Sequence, residues 1–155
     1  MPLAIERILA PALGHPGRSK DETYGHQFDI SVVFTSVHST LGALREAARL
    51  AHSLDARVTL VIAQVVPWPL PLESPTVRPE FNETRFRVLA GESPVETSVH
   101  VYLCRERFQT LTSVLVPGSI VVLGGRKRAW WPTPDQSLAR KLRRAGFEVI
   151  FKETE

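Results

Sequence analysis

The feature that most constrains this chain is an alternation of two hydrophobic patterns. Residues 28–36, FDISVVFTS, contain the unbroken apolar run Val32-Val33-Phe34. Such a run suits a strand covered on both faces, as in a parallel sheet. LGALREAARLAHSL follows, and it places Leu41, Leu44, Ala47, Ala48, Ala51 and Leu54 on one helical face. Either Ser39 or Thr40 is suited to cap that helix. RVTLVIAQVV, residues 57–66, is then a second β-branched apolar run. Strand, amphipathic helix and strand within residues 28–66 form a βαβ unit, whose crossover makes the two strands parallel.

The alternation continues to the end of the chain. TSVHVYLC predicts a third strand, ERFQTLTSVLV a third helix closed by Pro117-Gly118, and SIVVLG a fourth strand. FNETRFRVLAGES predicts a short helix, with Asn82 as its cap and Gly91 as its stop. Thr133-Pro134-Asp135-Gln136 reads as a capping box with proline at the first helical position. Leu138, Leu142 and Ala145 line one face of the helix it opens, Gly146 stops that helix, and FEVIFK is a fifth strand. These elements predict an α/β fold: a three-layer α/β/α sandwich around a five-stranded parallel sheet, Rossmann-like in its winding. Residues 67–80 hold five prolines, a density that neither a central strand nor a helix interior accommodates, so this stretch is read as a loop or arm. Residues 1–27 show no sustained periodicity and are read as a flexible or loosely packed tail, with one or two helical turns within Leu3–Leu13. The folded domain is assigned to residues 28–155.

At 155 residues, with 43% hydrophobic and 23% charged residues, the chain has the size and balance of one globular domain. No apolar run is long enough for a membrane-spanning helix, and the start shows no signal-peptide pattern, so a cytoplasmic location is expected. The single cysteine, Cys104, is expected to be a buried small hydrophobe. His15, His26, His38, His52 and His100 show no metal-ligand spacing, and no acid is placed to orient His38. No catalytic constellation is present, and an enzyme is not expected. The net charge is +3, with Arg126, Lys127, Arg128, Arg140, Lys141, Arg143 and Arg144 concentrated in the last quarter. The expected reading of that cluster is a solvated helix face beside a polar loop; nucleic-acid or polyanion binding is the alternative.

Three stretches taken together resemble the universal stress protein family: ISVVFTSVHSTLGALREAA, VTLVIAQVVP, and SIVVLGG followed by LARKLRRAGFEVIF. The resemblance covers roughly residues 28–152. It implies a parallel sheet of order 3-2-1-4-5 with two helices on each side, and a homodimer formed through the last strand, with Phe147, Val149 and Phe151 at the interface. In that order the strand direction of winding reverses between the first and fourth strands, where open sheets bind ligands at their carboxyl edge. The residues placed there are Thr35, Ser36 and His38 after the first strand, Gln64 and Val65 after the second, and Gly124, Gly125, Arg126, Lys127 and Ser137 after the fourth.

Many members of that family bind ATP, and this chain departs from the pattern that does so. Thr35 stands where an aspartate ends the first strand. Gly124 matches the first glycine of a Gly-x-x-Gly phosphate loop, but Lys127 occupies the second, where a side chain obstructs close backbone approach. Asp135-Gln136 or Ser137-Leu138 falls where Gly-Ser or Gly-Thr would follow. The expectation is a regulatory or interaction module with weak or absent ATP binding and no cofactor. The alternative is a binder of an adenine nucleotide or another anion, with Lys127 or Arg128 supplying charge in place of the lost glycine contacts. Equally, those side chains would fill the cleft and pair with Asp135, and Trp130 and Trp131 would cover part of it.

Overall fold

The computed structural model describes residues 4–9, 28–72 and 79–154. Five parallel strands form its centre: β2 (Asp29–Val33), β3 (Arg57–Val65), β4 (Thr97–Cys104), β5 (Ile120–Gly125) and β6 (Glu148–Glu153). They are ordered β4-β3-β2-β5-β6, the 3-2-1-4-5 arrangement expected from the sequence. The crossovers are α1 (Val37–Leu54), α2 (Pro79–Gly91), α3 (Arg107–Val114) and α4 (Pro134–Arg144).

Strand alternation sorts the core into two layers. Ile30, Val32, Leu60, Ile62, Val99 and Val101 pack under α1 and α2, against Leu44, Ala47, Phe86 and Leu89. Val33, Val61, Val121 and Leu123 face the other way, against Leu111 of α3 and Leu138 and Leu142 of α4. Cys104 is fully buried, and burial pushes its thiol pKa up, as a structural cysteine requires.

A sixth strand, β1 (Ala4–Leu9), pairs antiparallel with β4, from Ala4 opposite Cys104 to Leu9 opposite Val99. The helical turns expected within Leu3–Leu13 are therefore corrected to strand over these residues. Apolar residues at 4, 5, 8 and 9 fit either period, and the open edge of β4 supplies hydrogen bonds that an isolated helical turn cannot match. The remainder of the expected tail lies outside the described residues. Two helix starts also differ from expectation. α1 begins at Val37 with Ser36 as its N-cap, ahead of Ser39 and Thr40, and Ser39 N–H donates to Ser36 Oγ at 3.2 Å. α2 begins at Pro79, so Asn82 lies inside it rather than capping it, in keeping with proline's fitness for a first turn. After β3 the proline-rich segment turns back on itself, with Leu70 N–H donating to Pro67 O and Leu72 buried.

Candidate functional site at the carboxyl edge

All five parallel strands end at one edge, and winding reverses between β2 and β5. There the Thr35 hydroxyl donates to the Gly124 carbonyl at 2.8 Å, bridging the ends of the two strands. Thr35 N–H donates in turn to Thr40 Oγ1 at 3.2 Å, which folds the β2–α1 connection onto itself. The first turn of α1 then lies directly on Gly124: a Cβ placed there would stand 2.1 Å from the Ser39 carbonyl oxygen. Gly125 is equally enclosed, with Asp135 Oδ2 and the Phe151 ring each 2.9 Å from where its Cβ would stand. Its carbonyl accepts from Thr154 N–H at 2.9 Å, and the Thr154 and Ser39 hydroxyls are 2.9 Å apart. The switch point is thus a hydrogen-bonded seam of protein against protein.

The expected site residues separate around this seam. Thr35, Gly124 and Gly125 meet in it. Ser36 is used as a helix cap, His38 is exposed in the first turn of α1, and Ser137 lies in the first turn of α4 with its N–H on Thr133 O. Val65 is exposed, whereas Gln64 lines a neighbouring pocket. Lys127 neither fills the seam nor pairs with Asp135. Its Nζ lies 3.5 Å from Glu153 Oε2 on β6, beside a second pocket lined by Gln136, Arg140 and Arg143. Trp130 and Trp131 do not cover the seam either; they project from the loop at 91% and 78% exposure.

Asp135 faces Arg107 instead. Burial raises the Asp135 pKa and the Arg107 charge opposes that rise; burial likewise lowers the Arg107 pKa, against the attraction of Asp135. Arg107 sits just past the end of β4 and donates to Phe34 O at 2.9 Å. Arg107 and Arg85 line a pocket of about 340 Å³ with Phe34, Thr35, Gln64 and Phe86. Phe34 and Phe86 meet edge-to-face at 5.3 Å, and the Arg85 guanidinium lies 5.5 Å from the Phe34 ring centroid. Arg85, Phe86 and Arg107 were absent from the sequence expectation. Arg107 carried one usable signal, its place at a strand-to-helix junction, which in a parallel sheet falls at the carboxyl edge.

The loop after β5 is anchored at its base. Thr133 Oγ1 donates to Arg126 O at 2.8 Å and accepts from Gln136 N–H at 3.2 Å, while Gln136 Oε1 accepts from Thr133 N–H at 2.8 Å. This is the capping box expected from the sequence. Thr133→Ala should lower stability by about 1 kcal/mol, read as a reduced urea midpoint. An unchanged midpoint would contradict the assignment. Among the described residues, no group of His, Cys, Asp or Glu is arranged to hold a metal ion, and no helix is long and apolar enough to cross a membrane.

No protein-family model matches the sequence, and no curated protein is significantly similar to it in sequence. Solved structures are similar in fold. A universal stress protein from Archaeoglobus fulgidus superposes with a TM-score of 0.54 at 19% identity, over 81% of this chain and 93% of that one. The chain has the universal stress protein fold. A second universal stress protein, solved in complex with cAMP, superposes with a TM-score of 0.52 at 13% identity, over 83% of this chain and 98% of the other. Thr35 and Asp135 lie in or beside the seam, and Lys127 lies against Glu153. The edge strand expected to pair protomers is β6. Phe147 and Val149 are buried within their own chain, 7% and 8% exposed, so their side chains are committed to the core. Phe151 is partly buried and packs against the same core.

Proposed function

We propose that this chain is a universal stress protein-like regulatory or interaction module that works as a homodimer and binds ATP weakly or not at all. The observation that carries the reading is the Thr35–Gly124 hydrogen bond, with the α1 backbone seated on Gly124. A phosphate bound at the switch point would have to displace both. The Asp135 carboxylate beside Gly125 adds repulsion to that displacement when ionised. Dimerisation is supported by the sheet's two ends. β1 covers β4 at one end, while β6 has no strand on its outer side among the described residues. An open strand edge invites backbone pairing, and the exposed Glu148 and Lys152 suit an antiparallel twofold across it.

A second reading, binding of an adenine nucleotide or another anion, is favoured by the two arginines lining the pocket beside the seam. That a universal stress protein of similar fold was solved with cAMP supports it further. Native mass spectrometry of protein purified without added nucleotide separates the two. The expected spectrum shows a dimer with no adduct. A monomer at tens of micromolar would contradict the dimer, and an adenine-nucleotide adduct would establish the second reading.

A further inference from the structure

The chain's three tryptophans are all exposed at the same edge of the sheet. Trp68, at 73% exposure, lies in the turn after β3, and Trp130 and Trp131 lie in the loop after β5. One strand, β2, separates those exits, so they leave the sheet about 10 Å apart. Tryptophan is ordinarily well buried on average, and leaving three indoles in water on one edge forgoes a large amount of apolar burial. Every residue from Arg126 to Pro132 is exposed, and the two indoles follow Arg126, Lys127 and Arg128 after a single alanine, Ala129.

The loop is nevertheless held in place. Arg126 O accepts from Thr133 Oγ1 at 2.8 Å, and Arg128 N–H approaches Gln136 Oε1 at 3.4 Å, which fixes the base and leaves 129–132 as the tip. Trp68 is also positioned, with the Arg105 guanidinium 3.9 Å from its ring centroid. That guanidinium is itself fixed by donating to Val66 O at 2.9 Å and Leu70 O at 2.7 Å.

We propose that this edge docks on the surface of an anionic phospholipid bilayer, with Trp130 and Trp131 at headgroup depth and Arg126 and Arg128 against lipid phosphates. Indoles favour the interface between water and hydrocarbon because one end of the ring system is apolar and the other donates a hydrogen bond. Guanidinium groups match phosphate oxygens in pairs. Stable attachment of a peripheral protein takes an apolar and an electrostatic contribution together, and this loop joins them within seven residues. The charge of Lys127 is offset by Glu153, which leaves Arg126 and Arg128 as the principal cations. Single-stranded nucleic acid is the less fitting occupant, because it needs stacking platforms spread along a basic groove, and here two of the three indoles crown one loop while the third already carries the Arg105 guanidinium on one face. Antiparallel pairing of two β6 strands would point the two edges in opposite directions, so each would dock by itself. The inference holds whether or not the seam takes a nucleotide.

The test adds vesicles of phosphatidylcholine, with and without phosphatidylserine, to the full-length chain. Because all three tryptophans lie at the edge, their emission reports docking directly. The expected result is a blue shift and co-sedimentation with serine-lipid vesicles, weakened by added salt, with neutral vesicles bound at least about tenfold more weakly. The double substitution Trp130→Ala, Trp131→Ala should lose about tenfold or more while keeping its circular dichroism spectrum, since neither side chain is in the core. Absence of binding to anionic vesicles at millimolar lipid would overturn the proposal, as would undiminished binding by the double variant. A blue shift with a single-stranded oligonucleotide and none with vesicles would also overturn it, and would give this surface to nucleic acid.

Discussion

Gly124→Ala is expected to destabilise the domain by about 3 kcal/mol, near the upper end of the usual cost of overpacking. The added Cβ would meet the Ser39 carbonyl oxygen at 2.1 Å and its carbon at 2.8 Å, both backbone atoms. A flexible side chain swings aside cheaply, but this backbone is tied down. Ser39 N–H is held by Ser36 Oγ, Thr40 N–H by Ser36 O, and Gly124 O by the Thr35 hydroxyl. Relief therefore means lifting the start of α1 off the sheet or displacing the end of β5, and either movement strains the Thr35 bond. In a domain of this size such a loss lowers the melting temperature by roughly 6–12 °C. Gly91→Ala is the matched control. It ends α2 with nothing within 4 Å of an added Cβ, so the same substitution there should change stability by no more than about 1 kcal/mol, in the favourable direction. Equal urea midpoints for the two variants would contradict the packing described for Gly124.

Much of the fold is legible in the sequence because it rests on local pattern. The apolar residues Val32-Val33, Leu60–Ile62 and Val121–Leu123 each lie in a strand covered on both faces, and Phe34 follows just past the end of β2. The helix opened by Thr133 is capped as its four-residue signature predicts. Features that depend on distant partners are not legible. β1 exists because β4, almost a hundred residues later, leaves an edge open, and nothing within residues 4–9 distinguishes a strand from a helical turn. The start of α1 is ambiguous for a different reason: Ser36, Ser39 and Thr40 are all chemically able to cap it, and three-dimensional context selects Ser36.

The site was legible only in part. The residues at Thr35 and Lys127 draw attention to the β2–β5 junction, but the sequence does not say which atoms meet there. Thr35 bonding to Gly124 O, and Lys127 turning to Glu153, are choices of rotamer and of neighbouring strand. Arg85 and Arg107 reach one pocket from different helices, a meeting that sequence spacing does not encode. The exposure of Trp130 and Trp131 runs against the usual tendency of paired aromatics to pin a loop.

The second large effect expected is on nucleotide affinity, and it bears on the seam itself. An ATP site at a switch point draws its strength from backbone N–H groups and cations that converge on phosphate oxygens in a preformed crevice. On the proposed reading the Thr35–Gly124 bond and the first turn of α1 close that crevice; Asp135 stands beside Gly125, and the nearest loop lysine is paired with Glu153. Opening the seam would consume binding free energy before any phosphate contact formed. Calorimetric titration of Mg-ATP into the full-length protein at low salt measures the outcome directly. The expected dissociation constant is weaker than about 1 mM, which corresponds to no more than about 4 kcal/mol of binding free energy. A dissociation constant near a micromolar, about 8 kcal/mol, would contradict the closed seam.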